Sequence, residues 1–148
     1  MKLLNLDHTA VAVRDLDAAI AGYEDRYRVT PLYRETVESQ GVEEAMIPLG
    51  GSFIQLVSPL SPGSPVGRFL DKHGEGLHHV AFHAPSRDDV DGLYERLKSL
   101  GSKILDPPAE YPQYAPGYYA GGFFADPDGL KLEFVHMPNP PVVAAQPL

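Results

Sequence analysis

The chain has 148 residues, 43% of them hydrophobic and 22% charged, with a formal net charge of -8 and no cysteine. That length accommodates one domain with a proper core, or two small modules sharing an interface. Lack of cysteine removes disulfides, thiolate nucleophiles and thiolate metal sites, and the acidic balance argues against a nucleic-acid partner, because its twelve Lys and Arg are scattered among twenty acids.

The opening "MKLLNLDHTAVAV" alternates loosely and carries Asp7 and His8 inside its apolar stretch. It reads as a strand rather than a signal peptide, and no apolar run approaches the roughly 20 residues needed to span a membrane. The expectation is a cytoplasmic protein with no membrane partner. "RDLDAAIAGYEDRY" follows, with Leu16, Ile20, Tyr23 and Tyr27 at helical spacing and Asp15 placed to cap. "LYRETVES", "VEEAMIPL" and "SFIQLVSP" read as three short strands, separated by Gln40-Gly41 and Gly50-Gly51. A Pro/Gly/Ser-rich connection, residues 59–76, carries a short helix expected over Pro65 to Asp71.

The pattern then restarts. "LHHVAFHA" is a strand, and "SRDDVDGLYERLKSLG" is a helix with Ser86 as cap, Val90, Leu93, Leu97 and Leu100 as stripe, and Gly101 as stop. "SKILD", "GYYAGGFFA" and "LKLEFVHM" follow as strands. The expected fold is α+β: two tandem βαβββ modules, residues 1–58 and 77–137, forming a curved, barrel-like mixed sheet around a central site. The Pro-rich tail, 138–148, is expected to be loose.

Three histidines fall within six positions, at 78, 79 and 83. Strand alternation puts Leu77, His79, Ala81 and His83 on one face and His78, Val80 and Phe82 on the other. A strand histidine alone is most often structural or solvated. The repeat selects among them. Laying "LDHTAVAV" on "LHHVAFHA" puts His8 over His79, and laying "FIQLVSP" on "KLEFVHM" puts Gln55 over Glu133, at offsets of 71 and 78 residues. The difference is taken up by the loop "PPAEYPQYAPG". Strand Gln and Glu are usually solvated, but four polar residues at repeat-equivalent positions form a candidate metal set. Two imidazoles, an amide oxygen and a carboxylate suit Co, Ni, Mn, Fe or Zn. His78 then lies on the wrong face, and His83, near the strand end, is left to solvent or to a supporting role.

The segments "DHTAVAVRDLDAAIAGYED", "YRETVESQGVEEAMIPLG" and "IQLVSPLSPGSPVGRFLDKHGEGLHHVAF" resemble the vicinal oxygen chelate superfamily, which includes glyoxalase I, extradiol dioxygenases and methylmalonyl-CoA epimerase. From about Leu4 to Phe82 the likeness is to the epimerases. It implies metal ligands at His8, Gln55, His79 and Glu133, and a base at Glu44, with Glu43 facing away and Glu133 available as a second base. It implies a divalent-metal-dependent isomerase that removes the proton α to a thioester carbonyl of an acyl-CoA such as methylmalonyl-CoA, through a stabilised enolate. A homodimer is the expected assembly, dimers being the commonest.

The back half departs from the epimerases. Where they carry a His-Pro-Lys-Ser-like turn, this chain has "FFADPDGLKLEFV", similar to the generic glyoxalase, bleomycin-resistance and dioxygenase branch; "DPDG" is a turn by its own chemistry. The mismatch bears on the substrate more than on the metal, and a front and back of different ancestry would produce it. Tyr111, Tyr114, Tyr118 and Tyr119 either pack as a loop on the sheet or wall a ligand. Arg68, Lys72, Lys98 and Lys103 are candidate contacts for CoA phosphates, with helix-surface solvation as the plainer role of each. Two other readings stay open: a glyoxalase-like lyase or ferrous extradiol dioxygenase, in which two His and one Glu suffice, and a metal-free binding module of the bleomycin-resistance kind.

Overall fold

The computed structural model describes residues 5–112, 114, 116–125 and 127–138; the expectation of a loose tail concerns residues that, apart from Pro138, lie outside this range. The elements run β1 (Asn5–Ala12), α1 (Leu16–Tyr27), β2 (Tyr33–Val37), a 3-10 turn (Glu38–Gln40), β3 (Val42–Leu49), β4 (Ser52–Pro59), α2 (Pro65–His73), β5 (Gly76–His83), α3 (Arg87–Ser99), β6 (Lys103–Ile104), β7 (Ala109–Glu110), β8 (Tyr119–Ala125) and β9 (Lys131–His136). The class is α+β, and the βαβββ order recurs as expected. The second copy adds β7, a two-residue strand in the Pro-flanked loop, too short to leave a periodic signal.

The chain divides into two compact units, residues 8–78 falling in one and 79–138 in the other. In the first, the strand order is β2-β3-β4-β1, with β1 parallel to β4 and the other pairs antiparallel. In the second, it is β5-β9-β8-β6, with β5 parallel to β9, the rest antiparallel, and β7 also on β8.

Side-chain chemistry fixes the helix ends. Asp15 accepts from the N–H of Ala18 at 2.9 Å, opening α1, and Arg28 closes it in the left-handed region at φ 55°. Leu16 joins Val13, Ala45, Ile47 and Leu56 in a core against which Ile20 and Tyr23 pack. Tyr27, on the last residue of the helix, is 60% exposed, so the stripe ends one turn earlier than its spacing suggested. Ser64 caps α2, which runs two residues past the expected end to His73. Ser86 accepts from the N–H of Asp89, and its hydroxyl donates to the Asp89 carboxylate at 2.7 Å, opening α3. Val90 seats this helix on Ala84 and Phe134; Leu100 is outside the stripe, exposed at the cap, and Gly101 turns with φ 74°.

In both units the helix covers one face of the strands, and alternation puts polar residues on the other. In the first, Val11, Ile54, Leu56, Ala45 and Ile47 are on the helix side, so His8, Ala10, Gln55 and Glu44 take the opposite side. In the second, Phe82, Leu132 and Phe134 are on the helix side, so His79, Ala81 and Glu133 take the other. The register repeats: Ala10, two residues past His8, faces Gln55, and Ala81, two residues past His79, faces Glu133.

Candidate metal centre

His8, Glu44, His79 and Glu133 are all buried, at 2–6% exposure. Groups of this kind are rarely buried unless paired or coordinating, because desolvating a charge costs several kcal/mol. His79 Nε2 lies 3.4 Å from Glu133 Oε2. His8 belongs to the other unit, where it is buried on the helix-free face and its charge bears on Glu44.

Gln55, the fourth expected ligand, presents a specific asymmetry. Its Nε2 donates to Glu44 Oε2 at 2.9 Å, while its buried Oε1 has no hydrogen-bond partner among the described residues. A buried amide oxygen left without a donor is destabilising, and a cation would relieve it. Two imidazole nitrogens, a carboxylate and this oxygen are a donor set that fits a borderline divalent ion. The residues present therefore fit the metal that the sequence implied.

Glu44 faces Val57 on β4 and Glu35 on β2. Burial is the main force raising its carboxyl above the usual range; the hydrogen bond and charge of Glu35 add to this, and the charge of His8 and the Gln55 N–H pull the other way. Glu43 points to the helix side, as alternation required, and accepts from Arg34 Nε at 2.7 Å. Glu35 went unread in the sequence, although the hairpin around Gln40-Gly41 contains the signal: Val37 opposite Val42 forces Glu35 opposite Glu44.

The remaining histidines separate. His78 stacks edge-on against Phe69 of α2, with centroids 4.7 Å apart, a packing role. Of the two roles expected for His83, solvent or support, the first does not hold: it is 8% exposed, and its Nε2 has no hydrogen-bond partner among the described residues. Of the four tyrosines, Tyr118 is buried with Ala81, Ala120 and Val135, and Tyr111 and Tyr114 pack on them. Tyr119 instead faces the α3 side, where its hydroxyl donates to Asp91 and Arg87 lies over its ring. Burial, assisted by the charges of Glu133 and Asp106, raises the Tyr111 hydroxyl.

The sequence model of the Glyoxalase/Bleomycin resistance protein/Dioxygenase superfamily matches residues 5–134. The chain belongs to that superfamily. The chain is similar to an ethylmalonyl-CoA/methylmalonyl-CoA epimerase of Cereibacter sphaeroides, 34% identical over 101 residues, 68% of this chain and 73% of that protein. An uncharacterised Bacillus subtilis protein is 43% identical over 108 residues, 73% of each chain. The solved structure of a Streptomyces coelicolor methylmalonyl-CoA epimerase, a glutamate-to-glutamine variant in complex with 2-nitronate-propionyl-CoA, superposes with a TM-score of 0.78 at 31% identity, covering 93% of this chain and all of that one. The likeness to that epimerase thus extends past Phe82 into the back module, despite the different turn before β9. Among the described residues, no helix is long and apolar enough to cross a membrane.

Proposed function

We propose that this superfamily member is a divalent-metal-dependent epimerase of 2-substituted malonyl-CoA thioesters, methylmalonyl-CoA first among them. His8, Gln55, His79 and Glu133 would hold the ion. The observation that carries the reading is the orphaned Gln55 Oε1 at the register position equivalent to Glu133, on a chain whose relatives include epimerases of this substrate class.

A divalent ion, when bound, supplies Lewis-acid stabilisation of negative charge developing on the thioester oxygen. The rest is work for the chain's own side chains. Epimerisation removes the proton from the carbon between two carbonyls and returns it to the other face. Glu44 is suited to the removal in its ionised form, which the positive charge of a bound ion would favour: it is buried on the helix-free face, oriented by Gln55 Nε2, and has a raised proton affinity, which narrows the gap to a weak carbon acid. Burial also excludes the water that would compete for the proton. Glu133 is the second carboxyl on the corresponding face of the other unit, and serves as the partner that returns the proton.

A second reading has its own support, since the set of His8, His79 and Glu133 is the two-histidine, one-carboxylate pattern that also serves ferrous oxygenases. Elemental mass spectrometry of wild type beside His79→Ala tests the metal: about one divalent ion per chain, absent from the variant, is expected. Deuterium incorporation at the α-carbon of methylmalonyl-CoA identifies the epimerase, and oxygen uptake with catechols identifies the oxygenase. Wild-type protein that stays metal-free after loading with Co or Mn would overturn both and favour a binding module.

A further inference from the structure

His83 has no part in the chemistry above. It lies on β5 four residues past His79, on the same face by alternation, which at strand rise separates their Cα atoms by about 13 Å. It is more than nine-tenths buried, yet its Nε2 has no hydrogen-bond partner among the described residues. Val135 stands beside it in the β5–β9 register, and Tyr111, Tyr114 and Tyr118 pack in the cluster that includes Val135. The three rings form a chain, with centroids 6.0 and 5.1 Å apart. His83 also neighbours the His136 ring, centroids 6.3 Å apart, so this face of the unit combines a largely aromatic cluster with a buried imidazole nitrogen that has no partner among the described residues, a combination suited to a ligand that is mostly apolar and carries a neutral hydrogen-bonding group.

We propose that His83 Nε2 meets an amide of the pantetheine arm of the CoA thioester, with the arm's methylene chain lying along Tyr111, Tyr114 and Tyr118. The inference rests on the epimerase reading for the placement of the acyl end at His79 and Glu133. Length selects the arm. A methyl group on the reacting carbon extends only about 1.5 Å, whereas the two amide nitrogens of pantetheine follow the thioester carbon by four and eight bonds, about 5 and 10 Å when extended. An amide offers both a donor and an acceptor, so either tautomer of His83 is served.

The test shortens the arm stepwise. Methylmalonyl thioesters of CoA, pantetheine, N-acetylcysteamine and propanethiol are assayed for α-proton exchange with metal-loaded wild type and His83→Leu. In wild type, the step that removes the contacted amide is expected to lower kcat/KM about tenfold, and His83→Leu is expected to show no loss at that step. Equal losses at every step in both proteins would overturn the proposal. A measurement that needs neither turnover nor a folded variant runs beside it, the 15N signal of the His83 ring in wild type during titration with free pantetheine. A saturable shift supports the contact, and an unmoved signal overturns it. Failure of the epimerase reading appears separately, as no exchange on any thioester, and the nitrogen signal then decides the arm contact by itself.

Discussion

Replacing Glu44 by Gln should remove a loss of stability that wild type suffers as pH rises. The substitution keeps size and hydrogen-bonding capacity and removes the proton. In the folded protein the Glu44 carboxyl is raised from 4.5 to about 8, first by burial and then by Glu35. Between those values the folded state holds a proton that the unfolded chain has released. Stability is therefore fully present below about pH 4.5 and falls as pH rises toward 8. One proton contributes at most about 1.4 kcal/mol per pH unit, and sharing with Glu35 reduces this, so the loss between pH 5 and 8 is on the order of 2–4 kcal/mol. Urea unfolding at pH 5, 6, 7 and 8 in the presence of a chelator measures it. The quantity to follow is the difference between wild type and Glu44→Gln, which isolates the Glu44 proton and should grow in favour of the variant with rising pH. Parallel curves for the two proteins would refute a buried, protonated Glu44. In the exchange assay with methylmalonyl-CoA, the same variant should retain its metal and lose at least about a hundredfold in kcat, the scale of a removed general base.

Two further substitutions test how the elements are positioned. A Cβ on Gly67 would stand 2.4 Å from the carbonyl oxygen of Pro62 and 2.7 Å from that of Ser61, both backbone atoms that cannot swing aside. Gly67→Ala should therefore cost about 2 kcal/mol and lower Tm by roughly 4–8 °C; an unchanged melt would mean that α2 does not approach that turn so closely. Ser86→Ala removes both the cap of α3 and its bond to Asp89, and a loss of about 1 kcal/mol is expected in the same melts.

The repeat that underlies the proposed metal set was legible because a duplicated sequence repeats its backbone positions: once His8 and His79 are matched, Gln55 and Glu133 follow from the equivalent last strands, and the register repeats that correspondence. Two of the helices were legible for a related reason, since Asp15 and Ser86 act on backbone N–H groups three residues away, and local chemistry needs no tertiary information; the cap of α2 at Ser64 went unread, and Pro65 marked that helix instead. Alternation likewise placed Glu43 and Glu44 on opposite faces before any contact was known. The sequence alone also settled that no thiolate takes part, because the chain has no cysteine.

Other features depended on partners distant along the chain. Glu35 acquires a role only when β2 pairs with β3 and brings it opposite Glu44, and that pairing is a register rather than a composition. The burial of His83 depends on what packs over β5, so its position near a strand end could not decide between solvent and a supporting role, and the structure removes the first. Gln55 is polar in any reading of the sequence, but only the packed structure shows its N–H directed to Glu44 and its oxygen unmet. Sequence pattern determines which face a side chain takes, because that is set by the geometry of consecutive residues. Tertiary packing decides which polar atoms on that face are left without a partner, because a missing hydrogen bond is a property of every neighbour at once.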